Sequence, residues 1–354
     1  MRARTSVRKE DRQLNSATGF YRVLIVLLSS VYFVFTSVDG MDMTPASELT
    51  AEIKFTRDAK TVLAWTGGVY NALQGVKVAN CSWIKYRNMS EFPMCLDPID
   101  LGVSKAVQRD LYYQDCELLP NLYKYQAHKH KRSGVHLEIG ANIGACMMEM
   151  LTMTKARIIA FEPNPLNLYR LTQTLNALAP EIKGRVTLYP FGVGNSTMNS
   201  FIYTAEWNKG NSVVGLEVKD NDNQKMIAPL KVEIRKLDDI HGLLLSRHMN
   251  SDILSVKMDV QGYECRVVVG GLQVFRNIPV MKTEVAAKWL HKQGCSDKEL
   301  RRLLIDDVQF KVFITPDNFV NLDYYDLIAI RDIKDEKGIR HIVANSTHRL
   351  NVFR

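Results

Sequence analysis

Residues 135–144 read VHLEIGANIG, an apolar run followed by closely spaced glycines. The run VHLEI predicts a buried strand, and the glycines predict a sharp turn at which a ligand can approach the main chain. A helix that begins after this turn would offer free N–H groups to an anionic part of the ligand. The stretch therefore predicts a strand–turn–helix cofactor site in an α/β domain.

An acidic residue at the end of the next predicted strand supports a cofactor that contains adenosine. Glu162 follows the apolar run 157–161, and a carboxylate there can accept hydrogen bonds from both hydroxyls of a ribose. A nicotinamide dinucleotide site would have its second and third glycines at the positions of Asn142 and Ala145. This departure argues against a dehydrogenase and favours a cofactor without a pyrophosphate.

After residue 134, short apolar runs alternate with helical patterns, which is typical of a parallel α/β sheet. The pattern predicts strands at 135–139, 157–161, 185–190, 253–259, 280–285, 310–315 and 325–331. It predicts helices at 143–154, 165–178, 264–275 and 296–305. The last helix would begin at a capping box, Ser296-x-x-Glu299. We therefore expect a Rossmann-like domain in which helices cover both faces of a mostly parallel seven-stranded sheet.

Four blocks of sequence, in this order, resemble the FkbM-type methyltransferase family. They are LEIGANIG at 137–144, FEPNP at 161–165, LDDI at 237–240 and KMDVQGYE at 257–264. The resemblance covers residues 93–285 and implies a class I methyltransferase fold that uses S-adenosylmethionine, usually for O-methylation of a sugar or natural-product hydroxyl. The chain departs from the family at Gln261, where a glutamate is usual. Because the two side chains are equally long, we expect Gln261→Glu to be tolerated.

The resemblance also implies which residues contact the cofactor. By position, these are Glu138, Gly140, Asn142 and Gly144 at the methionine half, Glu162 with Asn164 at the ribose, Gly192 at the adenine, and Asp259.

Methyl transfer requires an aligned nucleophilic oxygen and a group that removes its proton. Ligands bind at the carboxyl ends of parallel strands. Asp259 and Glu284 end two predicted strands, so Asp259 is the first candidate for the catalytic base and Glu284 the second. The cysteines show no zinc-type CxxC pair, and we expect no metal.

The N-terminal region predicts a membrane anchor. Residues 23–38 (VLIVLLSSVYFVFTSV) are uncharged and mostly apolar, and they follow a basic segment at 1–22. As a helix this run spans about 24 Å, close to the thin endoplasmic reticulum bilayer of about 27 Å. The positive-inside rule then predicts a single-pass type II protein, with the rest of the chain in the lumen of the endoplasmic reticulum or Golgi. The alternative is a signal peptide that is cleaved before Met41, which would give a secreted protein.

Beyond the anchor we expect a stem at 41–75 and the FkbM-like domain at 76–354. Two features agree with a lumenal location. Asn-x-Ser/Thr sequons at Asn80, Asn88, Asn195 and Asn345 all follow the apolar run. The six cysteines can form disulfides in an oxidising lumen, although the sequence does not choose among the pairings.

The charge pattern gives no indication of nucleic-acid binding. The formal net charge is +8, and residues 1–22 contribute six basic against two acidic side chains, so the rest is diffuse. The basic run 128–132 is typical of a solvated loop.

Two functions fit the whole sequence. One is a lumenal O-methyltransferase that acts on a glycan or another small hydroxyl-bearing acceptor. The other is a non-catalytic membrane glycoprotein that uses a methyltransferase-like fold for binding or trafficking.

Overall fold

The computed structural model describes residues 79–216, 225–240, 253–316 and 324–350, with side chains to residue 346. The predicted cytosolic tail at 1–22, the anchor at 23–38 and the stem at 41–75 lie outside these residues. None of the helices in the described part of the chain has the length and apolarity that a membrane span requires.

The described residues form two larger sheets, a short hairpin and their connecting helices. The strands are β1 (Ser82–Lys85), β2 (Pro93–Leu96), β3 (Val135–Ile139), β4 (Arg157–Phe161), β5 (Val186–Tyr189), β6 (Gly192–Val193), β7 (Met198–Ala205), β8 (Asn208–Val214), β9 (Leu230–Arg235), β10 (Ile253–Met258), β11 (Val280–Ala286), β12 (Val312–Ile314) and β13 (Tyr324–Ile330). The α-helices are α1 (Val103–Asp110), α2 (Leu118–His130), α3 (Ala145–Met153), α4 (Pro165–Ala177), α5 (Pro180–Lys183), α6 (Glu264–Gly270), α7 (Leu272–Phe275), α8 (Ala287–Lys292), α9 (Asp297–Arg302) and α10 (Glu336–Leu350).

The seven-stranded sheet has the order β12-β13-β11-β10-β3-β4-β5. Strand β13 runs antiparallel to both of its neighbours, and the other pairs are parallel. Parallel strands need long crossovers, which is why helices separate most of them along the chain. All seven predicted strands are present, each within two residues of its expected ends. The mostly parallel seven-stranded sheet is therefore confirmed.

Both faces of this sheet are covered. On one face, α3 and α4 pack apolar side chains against β4 and β5. Further along the same face, α2 and α10 cover β11, β12 and β13. The side chains of the opposite face, among them Leu137, Ile139 and Val256, are equally buried. Burial on both faces explains why these strands are almost continuously apolar in the sequence.

Two helix predictions differ from the structure in their ends. The predicted helix 264–275 is interrupted at Gly271, which packs closely on Phe275 and Leu237, so it forms α6 and α7. The predicted helix 296–305 begins where expected, because the Ser296 hydroxyl accepts the Glu299 N–H at 3.1 Å. It ends as an α-helix at Arg302 and continues as a π-helical turn.

The second sheet was not predicted. It has the order β6-β9-β7-β8 and lies in the chain between β5 and β10. Its strand β9 reads LKVEIR and alternates buried and more exposed side chains, which is the pattern of a half-buried strand. Helices α1, α2, α5, α8 and α10 were also not predicted.

The six cysteines form three disulfides. They are Cys81–Cys95, Cys116–Cys146 and Cys265–Cys295. The first joins the β1–β2 hairpin to the segment that precedes it. The second ties the segment before α2 to the first turn of α3, beside the glycine turn.

A buried ion network joins the loop after β2 to the helix α4 and the strand β8. The Asp97 carboxylate lies 3.5 Å from Arg170 Nη2 and 3.1 Å from Lys209 Nζ, and all three side chains are buried. Two buried cations therefore depend on one carboxylate, and removal of one partner from such a network leaves uncompensated charge.

We predict that Asp97→Ala lowers the free energy of unfolding by about 3–5 kcal/mol, because it leaves both cations unpaired in the core. Denaturant unfolding measures this change. Asp110→Ala is the control, because Asp110 pairs with the largely exposed Arg109 and exposed pairs contribute little. An equal loss in both variants would contradict the buried-network account.

Candidate active site

The glycine turn after β3 lies directly against the end of β10. Gly140 has a φ of +85°, and a Cβ atom on it would lie 1.9 Å from the Asp259 carbonyl oxygen. Only glycine has both the conformation and the space for this approach. The N–H groups of Gly140 and Ala141 donate to the Phe161 carbonyl at 3.0 and 2.9 Å. The turn is therefore fixed between β4 and β10, at the carboxyl edge of the sheet.

Glu162 at the end of β4 holds the turn from the other side. One carboxylate oxygen accepts the N–H of Asn142 at 2.7 Å, and the other accepts the N–H of Asn164 at 2.8 Å. Burial raises the pKa of Glu162 to about 7. Each oxygen has a second lone pair that can accept a hydrogen bond from a ribose hydroxyl.

A narrow cleft of about 50 Å³ opens beside Glu162. One wall comes from the ends of β3, β4 and β10, and the other from the second sheet. The apolar residues of the second sheet that line it are Val193, Ile202, Val214 and Ile234. Apolar walls around a ribose-binding carboxylate suit an adenosine group.

Glu138 on β3 has the properties of a binding group. It is fully buried, and its carboxylate oxygens have no close hydrogen-bond partner among the described residues, although the Met147 backbone N–H lies near enough to lower its pKa. Burial raises the pKa of Glu138 to about 7, although the positive charge of Lys257 acts to lower it. Buried acceptors without partners are costly, so Glu138 is suited to a ligand that brings N–H donors. The ammonium group of S-adenosylmethionine is such a donor.

Lys257 and Asp259 form an ion pair at the end of β10. Lys257 Nζ lies 3.1 Å from Asp259 Oδ2 and donates to the Gly140 carbonyl at 3.0 Å. Burial alone would raise the pKa of Asp259. The charge of Lys257 and a hydrogen bond from Gln261 outweigh burial and hold this pKa below the usual value for an aspartate. Asp259 is therefore ionised at neutral pH.

Gln261 connects the two candidate bases. Its Nε2 donates to Asp259 Oδ1 at 2.8 Å and to Glu284 Oε2 at 2.5 Å. Gln261 has a φ of +51° in a turn that Glu264 braces by accepting the Gly262 N–H at 3.1 Å. Gln261→Glu would place a third carboxylate where an amide now donates to two. We based the expectation that this change is tolerated on the equal length of the two side chains. The charge of the side chain at position 261, and not its length, is therefore the property that matters here.

Glu284 lines a wide cleft of about 570 Å³ on the other side of Asp259. Burial, followed by the negative charges of Asp259 and Asp326, raises the pKa of Glu284 well above that of an ordinary glutamate. A side pocket of about 80 Å³ adds the ion pair of Lys282 and Asp326, with 2.6 Å between Nζ and Oδ1.

The sequence did not indicate several residues of this cleft. They are Tyr113, Asp115, Lys282, Tyr324 and Asp326. Lys282 carried one usable signal, because it is a charged residue inside an apolar strand, two positions before Glu284. Asp326 lies within the predicted strand 325–331 and Tyr324 directly precedes it, but nothing in the sequence places that strand end beside Glu284. Tyr113 and Asp115 lie on a segment for which the sequence predicts no element.

Six of the eight predicted cofactor residues line a cleft, and the other two have structural roles away from the clefts. Glu138, Gly140, Asn142, Glu162, Gly192 and Asp259 line one or both clefts. Gly144 and Asn164 are absent from both linings. A Cβ on Gly144 would lie 2.5 Å from Leu171 Cδ1, so this glycine allows α3 to approach α4. The Asn164 side chain is buried, accepts the Leu166 N–H at 3.0 Å as the cap of α4, and donates to Thr204 and Ser212.

Among the residues that the structure describes, no three His, Cys, Asp or Glu side chains gather in a way that could hold a metal ion.

The strand order, the glycine turn and the acidic end of β4 together define a class I methyltransferase-like α/β domain. Residues 138–312 form an FkbM methyltransferase domain, because the family's sequence model, described as the methyltransferase FkbM domain, matches them. A domain of this family implies a cofactor of the S-adenosylmethionine type. A search of curated proteins finds no match to the chain.

Solved structures with a similar fold are methyltransferases at low identity. The METTL16 methyltransferase domain is 10% identical, with a TM-score of 0.38, over 78% of this chain and 81% of that one. Monomeric WbdD is 10% identical, with a TM-score of 0.36, over 62% of this chain. The chain spans only 41% of the WbdD chain. The N-terminal domain of EvdMO1, solved with SAH and D-fucose, is 10% identical, with a TM-score of 0.34, over 60% of this chain and 82% of that one.

We predict that Gly140→Ala abolishes binding of S-adenosylhomocysteine, because the new methyl group displaces the Asp259 backbone and the turn with it. Calorimetry on the purified protein measures this binding. Gly294→Ala is the matched control, since Gly294 also has a positive φ, of +78°, but nothing lies within 4 Å of the added Cβ. Loss of binding in both variants would attribute the effect to backbone strain instead of the contact with Asp259.

Proposed function

We propose that this chain is a membrane-anchored O-methyltransferase that transfers the methyl group of S-adenosylmethionine to a hydroxyl of a glycan or glycoconjugate in the lumen of the secretory pathway. The observation that carries the proposal is that Asn142, Asp259 and Gln261 line both the narrow cleft and the wide cleft. The two clefts therefore meet at Asp259, as transfer between a cofactor and an acceptor requires.

The cofactor would occupy the narrow cleft and the adjoining turn. Glu162 would accept hydrogen bonds from the ribose hydroxyls, and Gly192 would border the adenine. Glu138 would accept hydrogen bonds from the ammonium group. The sulfonium supplies an electrophilic methyl group, so the residues of this chain need only orient the acceptor and take its proton.

The wide cleft fits a neutral polyhydroxyl acceptor. Its carboxylates at Asp115, Asp259 and Glu284 can accept hydrogen bonds from sugar hydroxyls, and the rings of Tyr113 and Tyr324 offer apolar faces to a sugar ring. The same carboxylates would repel a phosphate backbone, which argues against a nucleic-acid acceptor.

Glu284 is the better candidate for the general base. Asp259 already accepts from Lys257 and Gln261, and its lowered pKa makes it a weak base. Glu284 has a raised pKa, and an efficient general base has a pKa near the working pH. In this proposal Glu284 takes the acceptor's proton, Gln261 positions its carboxylate, and Asp259 remains ionised beside the cofactor.

The proposal is tested with the full chain in detergent, radiolabelled S-adenosylmethionine and a panel of neutral glycans and glycoconjugates. We expect label in a stable methyl ether on at least one class of acceptor. Cofactor binding without transfer to any hydroxyl acceptor would favour the non-catalytic function, and absence of cofactor binding in the folded protein would overturn the methyltransferase proposal.

We predict that Glu284→Gln lowers the rate of transfer by about 10²–10⁴-fold while cofactor binding survives. Because only the deprotonated Glu284 can act as a base, the wild-type rate should rise with pH until this carboxyl is ionised. The pH–rate profile of kcat under saturating cofactor measures this. Asp326→Asn removes a negative charge that raises the pKa of Glu284, so its profile should move to lower pH. Near wild-type turnover in Glu284→Gln, with loss in Asp259→Asn, would assign the base to Asp259 instead.

The lumenal location is supported by the three disulfides and by the exposure of all four sequon asparagines. We predict endoglycosidase-sensitive glycans at Asn80, Asn88 or Asn345 in cells. Asn195 should be the poorest acceptor, because it follows β6, which borders the narrow cleft. Gel shifts of the single Asn→Gln variants assign the sites. An unglycosylated C-terminal domain that protease reaches in sealed microsomes would reverse the topology.

A further inference from the structure

The loop between β2 and α1 has its polar side chains inside and its apolar side chains outside. Asp97 and Asp100 are almost completely buried, whereas Ile99 and Leu101 expose 47% and 66% of their surface. This arrangement reverses the usual one, in which aspartates are solvated and large aliphatic side chains are buried. The exposure of Ile99 and Leu101 therefore needs an explanation.

Hydrogen bonds hold this loop in place. Asp100 accepts the N–H of Ser104 at 2.8 Å and the N–H of Lys209 at 2.9 Å. The Leu101 N–H donates to the Trp207 carbonyl at 2.7 Å. Trp207 lies in the turn between β7 and β8 and is itself 49% exposed. We call the exposed set Ile99, Leu101 and Trp207 the apolar spur.

The spur lies beside the wide cleft. Gly102 and Asn208, which follow Leu101 and Trp207 in the chain, both line that cleft. Ile99, Leu101 and Trp207 themselves are absent from that lining. The spur therefore adjoins the proposed acceptor site without forming part of it.

The chain also enters the described domain beside the spur. Ser82 pairs with Leu96 across the β1–β2 hairpin, and the disulfide Cys81–Cys95 ties the same two segments together. The loop that carries Ile99 and Leu101 begins directly after Leu96. The first described residues of the chain therefore enter the domain beside the loop that carries Ile99 and Leu101.

We propose that the apolar spur inserts into the surface of the bilayer that holds residues 23–38, and that the acceptor is a membrane-embedded glycolipid presented to the wide cleft. The inference rests on the proposed topology and activity. Tryptophan is favoured at the boundary between lipid and water, and aliphatic side chains beside it gain from leaving water. Three side chains are too few for a stable protein interface. Because residues 23–38 would already hold the chain at the membrane, only a weak affinity for lipid is needed to keep these three side chains in the bilayer.

The first test uses the full chain in vesicles of neutral phospholipid that contain a phospholipid with a photoactivatable acyl chain. After illumination, peptide mass spectrometry locates the lipid adducts. We expect adducts within 23–38 and also on Ile99, Leu101 or Trp207. Ile333 is the internal control, because it is 62% exposed but follows β13, which β11, β10 and β3 separate from the strands under α4, and it should carry none. Adducts within 23–38 alone would overturn the proposal.

The second test compares the double variant Leu101→Ser/Trp207→Ser with the control Ile333→Ser. Bound S-adenosylhomocysteine and an unchanged melting temperature establish that each variant is folded. Turnover of a vesicle-embedded glycolipid should fall on the order of tenfold or more in the double variant. Turnover of a soluble glycan carrying the same sugar should not change.

Equal losses on both acceptors would show that the spur side chains serve the cleft and not the membrane. The adduct test needs no activity. Spur adducts in a chain that transfers no methyl group would therefore leave the membrane contact standing while the proposed function fails.

Discussion

The close approach of the Gly140 turn to the end of β10 is the constraint on which the rest of the site depends. The Asp259 carbonyl occupies the space that a side chain at position 140 would need. Because these two strand ends touch, the Asp259 side chain lies between a cleft suited to adenosine and a cleft suited to an acceptor. A wider separation would place the two binding regions apart, and transfer between them requires reacting atoms in contact.

Electrostatic balance is the second constraint, because three half-buried carboxyl groups, those of Asp259, Glu284 and Asp326, lie together at this edge of the sheet. Two lysines and one amide hold them: Lys257 beside Asp259, Lys282 beside Asp326, and Gln261 between Asp259 and Glu284. As a result, the pKa of Asp259 lies below the ordinary range for a carboxyl group and the pKa of Glu284 lies above it. Carboxyls with separated pKa values can take different roles in one reaction.

Segments outside the seven-stranded sheet and its helices surround this site. The second sheet, inserted between β5 and β10, supplies one wall of the narrow cleft, and its β7–β8 turn meets the loop after β2 beside the wide cleft. The buried Asp97 network holds that loop to α4 and β8. In the proposed function, recognition of the acceptor would therefore lie in segments outside the cofactor motif, as is common for loops on a rigid scaffold.

The amino-acid sequence by itself determined the strands of the main sheet, the glycine turn and the acidic end of β4, because these depend on local periodicity and on the conformational freedom of glycine. Tertiary structure alone decided which side chains share the site. Glu284 faces Asp326 only through the antiparallel register of β11 and β13, and Leu101 meets Trp207 across a gap of more than one hundred residues. Neither neighbour can be inferred from local pattern, because register and loop contacts are set by packing of the whole sheet.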